Sequence, residues 1–278
     1  MAVLVTRAGR FVKQAAGFRA FVPAPLPSDP PVGFDASTSA LLSRADQAIG
    51  RLDGAISTLP DPDLFVAMYV RREAVLSSQI EGTQSSLDDV LFLDGNGRIG
   101  RLLITFLLHQ RGVLHRPLLY PSHFLKGHRT EYYDRLTAVR TESDWEGWLG
   151  FFLRGIAETA EEATATACAI VRMHGEHRTL VQEHGLGLNA LRLLDALFRV
   201  PLVNARWVED RLEIAYATAT KLFGRFQEIG LVEETTGGKR FRRFRYTPYL
   251  LLFEDDASLL PAERDHEVPI QATESAAS

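Results

Sequence analysis

The chain has 278 residues, with 31 Lys and Arg against 35 Asp and Glu, a net charge of −4. Apolar residues make up 46% and charged residues 24%, the balance of an ordinary globular protein with room for about two domains. The single cysteine, Cys168, excludes an internal disulfide framework and a cysteine-rich zinc site. No apolar run reaches the ~18–20 residues of a membrane span, and the N-terminus lacks a secretory pattern, so a reducing, cytoplasmic setting is expected. The near-neutral total excludes a globally basic nucleic-acid binder and leaves a local basic patch open.

Residues 1–36 read as a proline-rich arm. Five prolines (Pro23, Pro25, Pro27, Pro30, Pro31) fall within nine positions, which favours extended chain over helix. Phe11, Phe18, Phe21 and Phe34 suit a docked arm as well as a flexible one. From Ser37, Leu41, Leu42, Ala45, Ala48, Ile49, Leu52 and Ile56 recur at helical spacing. Pro60 to Pro62 break that pattern. Asp61 or Asp63 can cap a second helix over 63–82, with Leu64, Phe65, Met68, Tyr69, Arg72, Val75, Leu76 and Ile80 on one stripe. A third helix carries Ile99, Leu102, Leu103, Phe106 and Leu107 on one face and stops at Gly112. Helices are predicted over 122–140 and from Asp144 to about Val181. Strand signals are nearly absent before residue 230. The fold class is therefore mainly α.

The densest chemical signal is Asp94-Gly95-Asn96-Gly97-Arg98-Ile99-Gly100-Arg101, at the start of the third helix. Glycines allow backbone N–H groups to approach an anion closely, and a helix N-terminus adds free donors and partial positive charge. Arg98 and Arg101, three apart, share a face away from the apolar stripe and can both reach phosphate oxygens. Asp94 offers a hard oxygen for Mg²⁺. A turn with a helix cap and solvated arginines fits the same residues.

Phe92-Leu93-Asp94-Gly95-Asn96-Gly97-Arg98-Ile99-Gly100-Arg101 resembles the signature of Fic (Fido) proteins, His-x-Phe-x-Asp/Glu-Gly-Asn-Gly-Arg-x-x-Arg. Ser77-Ser78-Gln79-Ile80-Glu81-Gly82 is similar to the family's inhibitory motif, Ser/Thr-x-x-x-Glu-Gly/Asn. Tyr120-Pro121-Ser122, Arg129, Glu131-Tyr132-Tyr133 and Asp144-Trp145 through Phe151-Phe152-Leu153 resemble the following helices. The resemblance implies transfer of AMP from Mg-ATP to a hydroxyl side chain of a target protein. It implies that Asp94 holds Mg²⁺, that Gly95, Asn96 and Gly97 cradle the phosphates, and that Arg98 and Arg101 bind them. It further implies that Glu81, with Ser77 and Gly82 in its motif, pairs with Arg101 and restrains the site.

The chain departs from that pattern in two ways. Val90 stands where the family has its general-base histidine, and Leu91 where proline is usual. Losing a general base costs roughly 10²–10⁴-fold in rate. Only Thr83–Val90 joins the inhibitory motif to the signature, where the family has several helices and a flap, so an internal deletion is inferred. The expected result is an inactive or severely impaired enzyme, with a non-catalytic nucleotide- and DNA-binding regulator or a decayed fragment as the other readings. Apolar faces such as Leu102, Phe106 and Phe151 are then expected to lie uncovered, which invites association into a homodimer. His109, His115, His123 and His128 read as ordinary polar residues.

Gly185 and Gly187 mark an expected boundary, giving an arm (1–36), a truncated helical Fic domain (37–184), a winged helix-turn-helix (185–254) and a disordered acidic tail (255–278). Helical patterns fit 188–199, 205–213 and 216–229. Leu231–Thr235 and Arg240–Tyr246 read as a hairpin. The expected recognition helix is Tyr216–Ile229, exposing Thr218, Thr220, Lys221 and Arg225. Lys239, Arg240, Arg242, Arg243 and Arg245 put five cations in seven residues on the wing. That pattern suits DNA phosphates, and equally a solvated charged wing.

Overall fold

The computed structural model describes residues 5–15, 17, 19–80, 95–238 and 242–253. The N-terminal segment is not an irregular arm throughout. β1 (Val5–Thr6), β2 (Gly9–Lys13) and β3 (Arg19–Pro23) form an antiparallel meander in the order β1-β2-β3. The strands carry β-favouring Phe11, Val12, Phe21 and Val22 but no clear alternation, and the prolines from Pro23 onward argued for open chain. Phe11 and Phe21, directly opposite, meet edge-on at 5.2 Å.

The meander is docked. Arg7 donates to Ser143 O at 3.0 Å and pairs with Glu146. The Gly33 N–H donates to Glu146 Oε1 at 2.8 Å, and Ala8 N–H to Ser143 Oγ at 3.2 Å. These bonds, Arg7 first, pull the Glu146 carboxyl down to about 2.

Helices α1 (Ala36–Ile56) and α2 (Pro62–Ile80) start where short acidic side chains take up the free N–H groups of the first turn. Asp35 accepts from Thr38 N–H at 2.7 Å, and Asp61 from Leu64 N–H at 2.8 Å. α1 lies along α6 (Trp145–Glu183), which Asp144 caps by accepting from Gly147 N–H at 2.9 Å. Their seam joins Ala45, Ala48, Ile49, Leu52 and Ile56 to Ile156, Ala157, Ala160 and Ala163, all buried. The alanines let the two backbones approach closely.

α3 (Gly95–Gln110) ends at Gly112, whose φ of 69° is the left-handed conformation that glycine tolerates. The predicted helix over 122–140 is two helices, α4 (Ser122–Gly127) and α5 (Arg129–Glu142), broken at His128. α4 packs so closely on α6 that a Cβ at Gly155 would lie 2.6 Å from the Phe124 ring.

After α6 the chain forms α7 (Gly187–Leu197), β4 (Leu202–Asn204), α8 (Ala205–Leu212), α9 (Tyr216–Glu228), β5 (Glu233–Glu234), β6 (Arg243–Arg245) and α10 (Thr247–Leu251). The expected hairpin, β5 with β6, gains a third strand, in the order β4-β6-β5. Three residues are too short to show a strand period, so β4 left no sequence signal. Phe244 on β6 stacks on Phe223 of α9 at 4.0 Å, both fully buried. The core runs without a break from α1 and α2 through α6 into this unit. No helix among the described residues is long and apolar enough to cross a membrane. Cys168 is free and exposed. The acidic residues 255–278 lie outside the described residues.

The depressed Glu146 carboxyl gives a pH prediction. A lowered folded pKa means stability held above the ordinary glutamate value and lost as pH falls toward the folded one. Between pH 4.5 and about 2 the meander should come away from α5 and α6, read as faster proteolysis within residues 5–34. Glu146→Gln should show that cleavage at neutral pH.

Candidate functional site

Two of the predicted site residues, Ser77 and Arg101, meet at the last described turns of α2. Tyr69, Arg72, Glu73, Leu76, Ser77 and Ile80 are its buried residues, at i, i+3, i+4, i+7, i+8 and i+11. Two of these are charged. Arg72 donates to Glu162 at 2.7 Å, and His123 Nδ1 lies 3.0 Å from the other oxygen of that carboxylate. Burial works against the Glu162 charge, but these two partners hold its carboxyl below the usual range. Glu73 accepts from the Ser122 hydroxyl at 2.6 Å. Burial pushes the Glu73 carboxyl up, while Ser122 and the charge of Arg101 pull it back down. Burial and the Glu73 charge push the neighbouring Tyr120 phenol up to about 12.

Arg101 is the one predicted phosphate ligand whose side chain the structure describes. It is 3% exposed. Its Nε donates to Ser77 Oγ at 2.9 Å and its Nη2 to Ser77 O at 2.7 Å. Arg129 Nε donates to Ile80 O at 2.7 Å. Two arginines from two other helices therefore bond backbone carbonyls of α2, at Ser77 and at Ile80. As placed, Arg101 does not fit a nucleotide phosphate, because its named donors are committed to Ser77.

The outward face of α3 is apolar. Ile99, Leu102, Leu103, Phe106 and Leu107 are 41–58% exposed, while Arg101 and Thr105 are buried. Thr105 donates to Leu119 O at 2.5 Å. The stripe is present as read, but it faces away from the body. Leu102 and Phe106 are uncovered as expected. Phe151 is not: it is 4% exposed, packed with Ile80, Phe124, Leu125 and Tyr132.

Gly95, Asn96 and Gly97 form the first turn of α3, and Arg98 follows in the same helix. Asp94, Glu81, Gly82 and Val90 lie outside the described residues, as do Lys239 and Arg240. The four histidines considered above are engaged elsewhere. His109 Nδ1 meets Leu114 O at 3.0 Å, His115 meets Asp53 at 2.5 Å, and His128 meets Phe124 O at 3.0 Å. His123 is on Glu162.

On the C-terminal unit, Thr218, Thr220, Lys221 and Arg225 are exposed on α9 as predicted. Arg225 is paired with Glu228 at 2.7 Å. Arg242 donates to Glu234 at 2.6 Å and lies 5.0 Å over the Phe244 ring. Arg243 is exposed and Arg245 half-buried on β6.

Residues 39–97 match the model of the Fic/DOC family N-terminal region. The match takes in α1, α2 and the first turn of α3. Over this segment the chain is similar to the N-terminal region of Fic/DOC proteins. The Ser77–Arg101 contact thus ties the end of the matched segment's second helix to the helix that carries the Fic-like signature.

Buried Arg72, Glu73 and Ser122, and exposed Arg129, are polar residues here that pattern reading gave no role. The signal was present for two of them. Arg72 and Glu73 sit in the helical spacing of a buried stripe, where a charge must find a partner.

Ser77→Ala removes the hydroxyl acceptor from a buried guanidinium and should destabilise the fold by about 1–3 kcal/mol. The midpoint of a urea unfolding curve checks it, with an unchanged slope showing that the folded structure persists.

Proposed function

We propose that this Fic-type chain is derived from a protein AMP-transferase, is held in a restrained state, and is catalytically inactive or severely impaired. The observation that carries the reading is Arg101, buried and bonded through Nε and Nη2 to Ser77. A guanidinium so placed is withheld from ATP until α2 lets go of it. Glu81, the next turn along the same motif, adds a carboxylate that competes with phosphate for that charge. Asp94 as the Mg²⁺ ligand, and Gly95, Asn96, Gly97 and Arg98 as the phosphate cradle, belong to this proposal. Val90 has no proton to exchange, so activation of a target hydroxyl lacks its base.

Incubation with Mg²⁺ and labelled ATP tests this. The unaltered chain and Glu81→Gly should leave target and self unlabelled. Val90→His in the Glu81→Gly background is the variant expected to recover transfer. Label moved by the unaltered chain at a rate that Val90→His does not change would overturn the inactivity.

A second activity is favoured by the exposed face of α9 and β6. We propose that the C-terminal unit, helix–strand–helix–helix–strand–strand in order, is a winged helix that binds duplex DNA. Lys221 and Arg243 are exposed to phosphate directly, whereas Arg225 and Arg242 must first leave Glu228 and Glu234. The logarithmic salt dependence of duplex binding should lose about 2 units of slope when Lys221 and Arg243 are both changed to alanine. An unchanged slope and affinity removes the DNA reading.

A further inference from the structure

β3 is the outer strand of the N-terminal meander, paired on one side only, with β2. The Ala24 N–H donates to Ala8 O at 2.8 Å. That bond sets the parity of the ladder. Val22–Arg10 and Ala20–Val12 become the bonded pairs, and Phe21–Phe11 and Pro23–Gly9 the unbonded ones. Phe21 and Arg19 therefore direct their backbone N–H and C=O away from β2. Among the described residues, neither backbone group of Phe21 bonds to another element. Pro23, of the same parity, has no N–H and ends the available ladder.

The free edge runs beside an open cavity of about 280 Å³. Phe21 and Pro23 wall it on one side, and Leu136, Val139, Trp145 and Trp148 on the other. The walls are held in place by the Arg7 and Gly33 bonds to Glu146. Arg140 stands at the cavity, exposed. Its cationic neighbours are neutralised, Arg7 by Glu146 and Arg135 by Asp144, while no carboxylate meets Arg140 among the described residues.

We propose that this edge and cavity form a peptide-binding site, in which an extended segment of a partner protein adds to β3 as a fourth strand. Its main chain bonds to the N–H and C=O of Phe21. One large apolar side chain enters the cavity between Phe21 and the two tryptophans. A carboxylate two residues along, on the same face of the added strand, meets Arg140. Main-chain bonds supply affinity in such additions, and the pocket and the charge supply selectivity. A free apolar acid would fill the cavity yet leave the β3 edge without a partner, so the strand reading uses more of what the structure presents.

The test uses the full chain and a capped hexapeptide, Thr-Thr-Phe-Thr-Asp-Thr. Tryptophan fluorescence reports on Trp145 and Trp148, and amide NMR shifts locate the site. Saturable binding is expected at or below millimolar peptide, with shifts centred on 19–23 and 136–148. Affinity should fall about tenfold with Arg140→Glu and be kept by Arg140→Lys. It should be lost when the peptide's phenylalanine becomes alanine, or when its backbone is N-methylated at the residue facing Phe21. Arg140 is exposed, so these variants keep the fold. No saturable binding at millimolar peptide overturns the proposal. Binding indifferent to N-methylation, or phenylacetate bound as tightly as the peptide, overturns it in favour of a small-molecule pocket.

Discussion

The bond from Arg101 to Ser77 decides how α3 sits, and α3 carries the Fic-like signature. α3 meets the body through a mixed face: Arg101 and Thr105 are buried, Ile104 and Leu108 pack partly buried against the core, and the exposed stripe points out. The polar part of that face is satisfied. Arg101 meets the hydroxyl and carbonyl of Ser77, and Thr105 meets Leu119 O. A buried guanidinium without such partners would cost several kcal/mol. The same bonds tie α3 to the backbone and the side chain of one α2 residue.

Much of the helical architecture was legible. α1, α2, α6, α8 and α9 fall within a few residues of their predicted bounds, because long stripes closed by Asp caps and glycine stops are strong signals. The misses have physical reasons. β1 to β3 are short strands in a segment where five prolines argued for open chain. β4 is three residues long. His128 breaks a helix that periodicity alone would continue. The site was legible in identity more than in state. Ser77 and Arg101 were both named, with Arg101 a phosphate ligand that Glu81 would hold, but the bond from Arg101 to Ser77 itself was not foreseen. Pattern gives a residue's chemistry, while the partner it chooses depends on what else is within reach.

The uncovered face of α3 and the covered Phe151 differ in what lies next to them. Phe151 belongs to a nest with Ile80, Phe124 and Tyr132 that closes without further elements. The stripe on α3 has no such neighbours among the described residues. Exposed apolar side chains at five positions along one helix form a patch that favours association.

α2 also reaches the C-terminal unit. Phe65 and Tyr69, in its first half, meet Phe253 edge-on at 5.9 and 5.8 Å. Ser77, two turns further on, holds Arg101. At 1.5 Å per residue the two contacts lie roughly 12–18 Å apart along one rigid rod. α6 supplies a second link, with His177 Nδ1 2.6 Å from the Tyr246 hydroxyl and Arg178 on Asp195. Burial lowers the His177 pKa. α2 thus packs on the C-terminal unit at one point and holds Arg101 at another, so a displacement of α2 along its axis would move Phe65 and Tyr69 against Phe253 as well as Ser77 against Arg101.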